Sequence, residues 1–399
     1  MKDGSCGDLI DSYKAANTNK LWNAGFLYML ILISISSVSF HIVASIISLH
    51  VESLGGDRAL GGIVVGVFPI TALFIRPFCG AFADRYNMKR IIIISTALGA
   101  VFMLAHAFTD SIPLLVTLRI LHGAMFAISS TASIALASTF VPNKRMGEGV
   151  GFLGVGLIIC ITIGPAIGLM VSERFDINSA FVLSAALSVL ATVMMLLVRY
   201  KRAEHTGYVG KFEFKLSSTY DVRLLPLTVF SMLFAFCNGF IQSFIAMLGD
   251  ERGIASVGIY FTVSAVTLIV ARPLSGRLND KKGAAFILIP AYILSASAMA
   301  MLAGAGSTWI IALAALLHAA GHGSGQPALQ AECIRRLPDR RGVATGTYFV
   351  GLDAGQGLGP VVGGAVLSIS SFSTVFVGTS VLLLLGMLGF ILYKRRVAS

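Results

Sequence analysis

Apolar run follows apolar run along this sequence of 399 residues, each about as long as a lipid bilayer is thick, and that leaves few ways to fold. Crossing the hydrocarbon takes roughly 20 mainly apolar residues. The runs and their breaks mark twelve segments, near 22 to 50, 59 to 83, 90 to 108, 112 to 140, 148 to 172, 177 to 199, 223 to 249, 255 to 278, 284 to 304, 307 to 334, 342 to 370 and 372 to 393. In lipid the backbone must satisfy its own N–H and C=O groups, and for apolar runs of this length the solution is the α-helix. The fold expected is therefore an all-α membrane protein of twelve transmembrane helices. Apolar residues at 56 % against 12 % charged agree, since most of such a chain cannot face water. The first run is about twice the length of a signal-peptide core and shows no small-residue cleavage site, so it reads as a retained helix.

One stretch is written twice. Arg76-Pro77-Phe78-Cys79-Gly80-Ala81-Phe82-Ala83-Asp84-Arg85 returns as Arg272-Pro273-Leu274-Ser275-Gly276-Arg277-Leu278-Asn279-Asp280-Lys281, with Arg, Pro, Gly and Asp all displaced by 272 − 76 = 196 positions. Self-similarity at so long a period means two structural halves rather than a solenoid. Parallel repeats of six spans are one way transporters are built. The divisions expected are a cytoplasmic N-terminal tail (1–21), a six-helix bundle (22–199), a cytoplasmic linker (200–222), a second, pseudo-symmetric six-helix bundle (223–393) and a cytoplasmic tail (394–399).

A net charge of +11 invites a nucleic-acid reading, and the distribution of the 30 Lys and Arg answers it. Arg58, Arg174 and Arg252 fall in loops after odd-numbered spans, Arg76, Arg119 and Arg272 lie inside spans, and the rest occupy the termini and the loops after even-numbered spans. That is the positive-inside bias, with both termini cytoplasmic. The basic balance is a topology signal, and no nucleic-acid partner is expected. The five cysteines lack a paired spacing, so neither a disulfide framework nor a zinc site is indicated. No GxxxxGK[ST] phosphate loop occurs, which argues against ATP hydrolysis on this chain. No nucleophile and base pair and no cofactor motif is visible, so an enzyme is not expected.

Polar residues recur on one face of several spans. Ser34, Ser37, His41, Ser45 and Ser48 form such a stripe on span 1. Span 4 carries Arg119 and His122, span 7 carries Ser231, Asn238 and Gln242, and span 10 carries His318, His322, Gln326 and Gln330. Spans 1, 4, 7 and 10 hold equivalent places in successive groups of three, which points to one shared wet cavity. Spans 5 and 11 are glycine-rich and share Gly164-Pro165 and Gly359-Pro360, and glycine at this density lets backbones approach closely.

These features resemble the major facilitator superfamily over essentially all of the chain after the tail. Gly80, Asp84, Arg85, Lys89 and Arg90 look like the family's signature between its second and third helices, although the usual glycine after the acid and base is missing in Tyr86-Asn87-Met88. Arg119 with Gly123 looks like its fourth-helix pattern. Gly164-Pro165 with Gly168, preceded by Gly156, is similar to the fifth-helix pattern of its drug and metabolite proton antiporters. The resemblance implies two six-helix bundles rocking about a central site lined by helices 1, 4, 7 and 10. It also implies that Asp84 meets the start of helix 11 near Gly342, with Asp280 facing helix 5 near Gly147 by pseudo-symmetry.

Charges kept inside a span cost about 2.5 to 3.5 kcal/mol at the bilayer centre and are functional candidates for that reason. Asp353, Arg119 and His122 are the residues expected to couple protons, with Asp353 also facing Arg76 as a charge pair. Ser37, His41, Arg119, His122, Asn238, Gln242, His318, His322 and Gln326 are expected to meet substrate. Arg76, Gly80, Asp84, Arg85, Gly164, Pro165, Arg272, Gly276, Asp280, Gly359 and Pro360 are expected to gate. No carboxylate accompanies the histidines in the stripes, so no dedicated metal site and no cofactor is expected.

The function expected is proton-coupled efflux of a small organic molecule by alternating access. The first six spans hold Arg and His but no buried acid, which favours an anionic or zwitterionic metabolite or metallophore. Multidrug efflux and proton-coupled import of an organic anion are the alternatives. The partners expected are a small-molecule substrate, protons and the lipid bilayer, for a monomer in a bacterial cytoplasmic membrane.

Overall fold

The computed structural model describes residues 20–56, 58–198, 220–254 and 256–398. Most of the expected N-terminal tail and of the expected linker lie outside the described residues. Twelve long helices follow one another among those described: α1 (Ala24–Ser53), α2 (Arg58–Arg85), α3 (Met88–His106), α4 (Ile112–Thr139), α5 (Met146–Arg174), α6 (Ile177–Leu197), α7 (Leu225–Glu251), α8 (Ile259–Lys282), α9 (Ala284–Ala303), α10 (Thr308–Arg336), α11 (Arg341–Leu367) and α12 (Phe372–Ala398). Ten are long and apolar enough to cross a membrane. The other two, α10 and α11, are long enough but carry the histidines, glutamines and Asp353 that the sequence singled out. Side chains such as Phe74 (71 % exposed) and Trp309 (82 %) stand on the outside, as a multi-pass membrane protein requires.

Local chemistry sets many of the helix ends. Asn23 accepts from the Phe26 N–H at 2.9 Å and starts α1, and Asp176 accepts from the Ser179 N–H at 2.5 Å and starts α6. Lys89 Nζ donates to the Leu196 and Val198 carbonyls at 2.8 and 2.6 Å and closes the far end of α6. Arg252 does the same for α9, donating to the carbonyls of Leu302, Ala303 and Ala305 at 2.8 to 3.1 Å.

The chain divides into two compact units. Unit 1 comprises Met1–Asn143, Gly156–Tyr220 and Leu337–Gly346; unit 2 comprises Lys144–Val155, Asp221–Arg336 and Thr347–Ser399. The main change of unit falls between Tyr220 and Asp221, and the units also exchange two short stretches that the expected ranges lacked. The first turns of α5 belong to unit 2, and the first turns of α11 belong to unit 1.

In unit 1, α3 packs on α4 and α6, α1 on α6, and α2 on α4. Ile42, Val43, Ile46 and Ile47 of α1, Val64 of α2, Met103 of α3, Leu115 of α4 and Phe181 of α6 share one apolar core. Small polar residues tie α1 to α6: Ser39 Oγ donates to the Ser184 carbonyl at 2.8 Å and Ser184 Oγ donates to the Ser39 carbonyl at 2.7 Å. In unit 2, α10 packs on α7, α8 and α9, and α12 packs on α7 and α9. The Tyr292 ring stacks on Phe234 at 4.4 Å while its hydroxyl donates to the Phe230 carbonyl at 3.0 Å, so a buried aromatic keeps its polar end satisfied.

The duplicated stretch closes α2 and α8 rather than forming a turn, and Pro77 and Pro273 lie inside those helices. The acid of each copy therefore projects from the last turns of a rigid helix.

Candidate transport and gating residues

Each copy of the duplicated stretch delivers its acid to the start of another helix. In unit 1, Asp84 accepts from the Gly342 N–H at 2.6 Å (Oδ1) and from the Val343 N–H at 2.8 Å (Oδ2). In unit 2, Asp280 accepts from the Gly147 N–H at 2.7 Å and from the Glu148 N–H at 2.9 Å. The first N–H groups of a helix have no partner within it and carry its positive dipole end, so a carboxylate there gains both hydrogen bonds and charge complementarity. Both contacts fall where the resemblance put them.

Glycine makes the approach possible. A methyl on Gly80 would lie 2.5 Å from the Gly342 carbonyl oxygen, and one on Gly276 would collide with the Gly147 carbonyl. The surroundings of the two acids differ. Arg335 pairs with Asp280, and Glu148, only 2 % exposed, accepts from Arg277 Nε at 2.6 Å and from Arg145 Nε at 2.7 Å. Near Asp84, Arg341 instead donates to the Ser138 carbonyl and to Asn143 Oδ1. Arg85 occupies the last turn of α2 beside its acid.

The other expected residues of unit 1 form two groups. Arg76 donates through Nη1 to Ser130 Oγ and Thr131 Oγ1 at 3.1 and 3.2 Å, and Ser37 is buried and accepts from His41 Nδ1 at 2.6 Å through its carbonyl. Gly164 lets α5 press against His41 and Val38, and Pro165 follows it inside the helix. The second group is more unusual. Arg119 and His122, each 1 % exposed, lie among Phe68, Phe40 and His106, and Arg119 Nη1, His122 Nδ1 and His106 Nε2 have no hydrogen-bond partner.

In unit 2 the stripe on α10 is buried rather than wet: His318, His322 and Gln326 are 2 %, 7 % and 3 % exposed. The rings of His318 and His322 stack at 5.5 Å, and three of their four nitrogens lack partners. Gln326 is different, since it accepts from Ser231 Oγ at 2.7 Å and Tyr348 Oη at 2.6 Å and donates to the Ser231 carbonyl at 3.0 Å. Its amide is satisfied within the unit. Asn238 is half-buried and Gln242 is exposed, so the α7 stripe does not form one continuous polar face. Arg272 lies against Gly151 and Gly154, and Gly359 lets α11 approach Phe236 one residue before Pro360. Asp353 is half-buried in α11.

Against known proteins, the family model of the Major Facilitator Superfamily matches residues 29–331 and 227–399. The chain belongs to that superfamily. Among its relatives, this facilitator is 27 % identical over 368 residues to the multidrug resistance protein MdtG of Serratia proteamaculans, covering 88 % of the chain and 89 % of the relative. It is 25 % identical over 360 residues to the multi-drug resistance efflux pump PmrA of Streptococcus pneumoniae, covering 87 % and 90 %. Its fold is similar to that of the human organic anion transporter MFSD10, with a TM-score of 0.74 at 14 % identity over 91 % of this chain and 98 % of that one. It is a multi-pass membrane transporter.

Three residues of this facilitator escaped the sequence reading. Glu148 opens the expected fifth span, and the expectation that the first six spans hold no buried acid passes over it; that expectation is corrected, since Glu148 is buried in the first turn of α5. His106 ends an apolar run and belongs to no stripe. Tyr348 carries no mark in the sequence, because its partner Gln326 lies on another helix.

Proposed function

We propose that this facilitator exports a small organic molecule across a bacterial cytoplasmic membrane in exchange for protons, as a monomer with both termini in the cytoplasm. The observation that carries the reading is the doubled clasp of an acid on a helix start. A carboxylate on two backbone N–H groups can be made and broken as a unit, and its release frees the first turns of α11 or α5 from the helix that holds them. Two such clasps related by the repeat suit alternating access, in which the halves expose substrate to each side in turn. Relatives matched over nearly their whole lengths are named for multidrug resistance and efflux, which supports the outward direction.

Proton coupling falls to Asp353 and to the buried Arg119 and His122. Helices α1 to α4 and α6 contribute no acid to the buried residues, so in unit 1 an imidazole is the group able to take up a proton inside the membrane. Ser37, His41, Asn238, Gln242, His318 and His322 are proposed to meet substrate, whereas Gln326, bonded to Ser231 and Tyr348, is a structural residue. A fixed buried cation and several imidazoles suit an anionic or zwitterionic metabolite or a metal chelate better than a lipophilic cation. The names of the relatives favour the second reading, multidrug efflux.

Everted vesicles separate the two. Energised vesicles carrying the protein should lose their pH gradient, followed by a weak-base dye, when a transported compound is added. Organic acids and metal chelates that collapse the gradient support the first reading, cationic dyes the second, and no response from any compound contradicts both.

A further inference from the structure

Arg119 carries a permanent charge in a site that offers it no acid among the described residues. Its Nε reaches the Val64 carbonyl at 3.4 Å, its guanidinium carbon lies 4.7 Å from the Phe68 ring centre, and Nη1 has no acceptor. A buried charge without a counter-charge is strongly unfavourable, so such a site is complete only when a ligand brings the anion.

Two histidines define what else that ligand must carry. The rings of His106 and His122 lie 6.0 Å apart, His122 is 1 % and His106 0 % exposed, and His122 Nδ1 and His106 Nε2 have no partner. His106 Nδ1 is bonded to the Phe102 carbonyl. A carbonyl only accepts, so Nδ1 holds the hydrogen and the Nε2 of the neutral ring presents a lone pair. Arg119 Nη1 thus supplies a donor, His122 Nδ1 supplies a second in the tautomer that carries its hydrogen there, and His106 supplies an acceptor, within a wall formed by Phe68 and Phe181.

We propose that Arg119, His122 and His106 form a subsite for a carboxylate that carries its own hydroxyl or N–H donor, and that this donor and a proton exclude one another at His106 Nε2. The inference rests on the proton-driven efflux reading and deepens it. The carboxylate takes the hydrogens of Arg119 and His122, and its neighbouring donor points at the His106 lone pair. A proton arriving at Nε2 occupies that lone pair and turns the acceptor into a charged donor, which the carboxylate itself satisfies with or without a neighbouring hydroxyl, so the ligand's own donor no longer adds a bond there. Loss of the same proton to water restores the acceptor.

The surrounding elements bring few other titratable groups. From α4 they are Arg119 and His122 themselves. From α1 they are His50, which is bonded to the Thr109 carbonyl at 3.3 Å and packs on Phe181, and His41, bonded to the Ser37 carbonyl. The described turns of α6 hold no ionisable side chain, and Arg76 of α2 is bonded to Ser130 and Thr131. Asp110, in the loop after α3, is exposed and acts on His50.

The test uses the purified full-length protein in nanodiscs and three probes, lactate, propionate and neutral lactamide, followed by titration calorimetry. Lactate and propionate differ by the one hydroxyl. Lactate should bind at least five-fold more tightly than propionate at pH 8, the two should converge within two-fold at pH 5, and lactamide should not compete. The glutamine of His106→Gln still accepts but takes no proton, so its preference for lactate should persist at both pH values. His106→Leu should show no preference at either. Equal binding of lactate and propionate at every pH, or no binding of either, overturns the subsite. Inorganic phosphate displacing lactate at equal concentration overturns it as well, by showing a site for any anion. The wild-type pH series stands even where a variant fails to fold. Efflux without lactate binding defeats the subsite alone, and lactate binding without proton-driven efflux defeats the efflux reading alone.

Discussion

His318 occupies in the second repeat the position that His122 occupies in the first: 318 − 122 = 196, the displacement that relates Arg272 to Arg76. Both rings are buried, with Nδ1 of His122 and both nitrogens of His318 lacking a partner. An unsatisfied buried polar group costs about 1 to 3 kcal/mol, so a chain selected for stability alone would hold an apolar residue at these places. His318→Leu should therefore melt at or above the wild-type temperature while transport falls at least ten-fold. A lower melting temperature would show that the imidazole is a packing residue with a structural partner.

The two acid clasps differ in support, and their variants should differ in effect. Asp84→Asn keeps the shape but loses the charge that faces the start of α11, a change of about 1 to 2 kcal/mol by the usual worth of such caps. That is roughly a five- to thirty-fold shift in the clasped population. Asp280 is additionally held by Arg335, beside the Glu148, Arg277 and Arg145 cluster. Alkylation rates of a cysteine placed at position 343 should rise in Asp84→Asn, and those of one at position 149, which leaves Glu148 in place, should rise less in Asp280→Asn.

Gln326 is tied to Ser231 and Tyr348 and should behave as a structural residue. Gln326→Leu leaves the hydroxyls of Ser231 and Tyr348 buried without this acceptor, a loss of about 1 to 3 kcal/mol. Tyr348→Phe removes one bond and should cost about 1 kcal/mol. Combining Tyr348→Phe with Gln326→Leu should cost less than the sum of the two, because both break the same bond. Thermal unfolding in detergent reads this directly, and strict additivity would contradict the network.

Asp353→Asn should leave the protein folded and able to exchange substrate down its gradient, while proton-driven accumulation in everted vesicles falls to background. Unchanged accumulation would remove Asp353 from the coupling.

The paired Gly and Asp of the clasps were legible in the sequence because a 196-residue repeat carries them in both copies, while their partners near Gly342 and Gly147 were implied by the family resemblance and not by the repeat itself. The stripe on α10 was legible as a polar face, but not as a buried one. Helical spacing tells which residues share a face and is silent on what covers it, and here Ser231 and Tyr348 come from other helices. The exchange of the first turns of α5 and α11 between the units could not be read from apolar runs. It arises from contacts between residues more than a hundred positions apart, such as Asp84 with Gly342. His106 stayed hidden for a related reason: one histidine at the end of an apolar run forms no pattern until the fold sets His122 beside it.

The central claim, export of substrate in exchange for protons, is tested most directly in proteoliposomes with clamped internal and external pH. Preloaded substrate should leave faster when the outside is acidic, slow when the gradient is abolished, and reverse when it is inverted, with Asp353→Asn indifferent to all three. Flux of the same rate and direction under every gradient would contradict proton exchange.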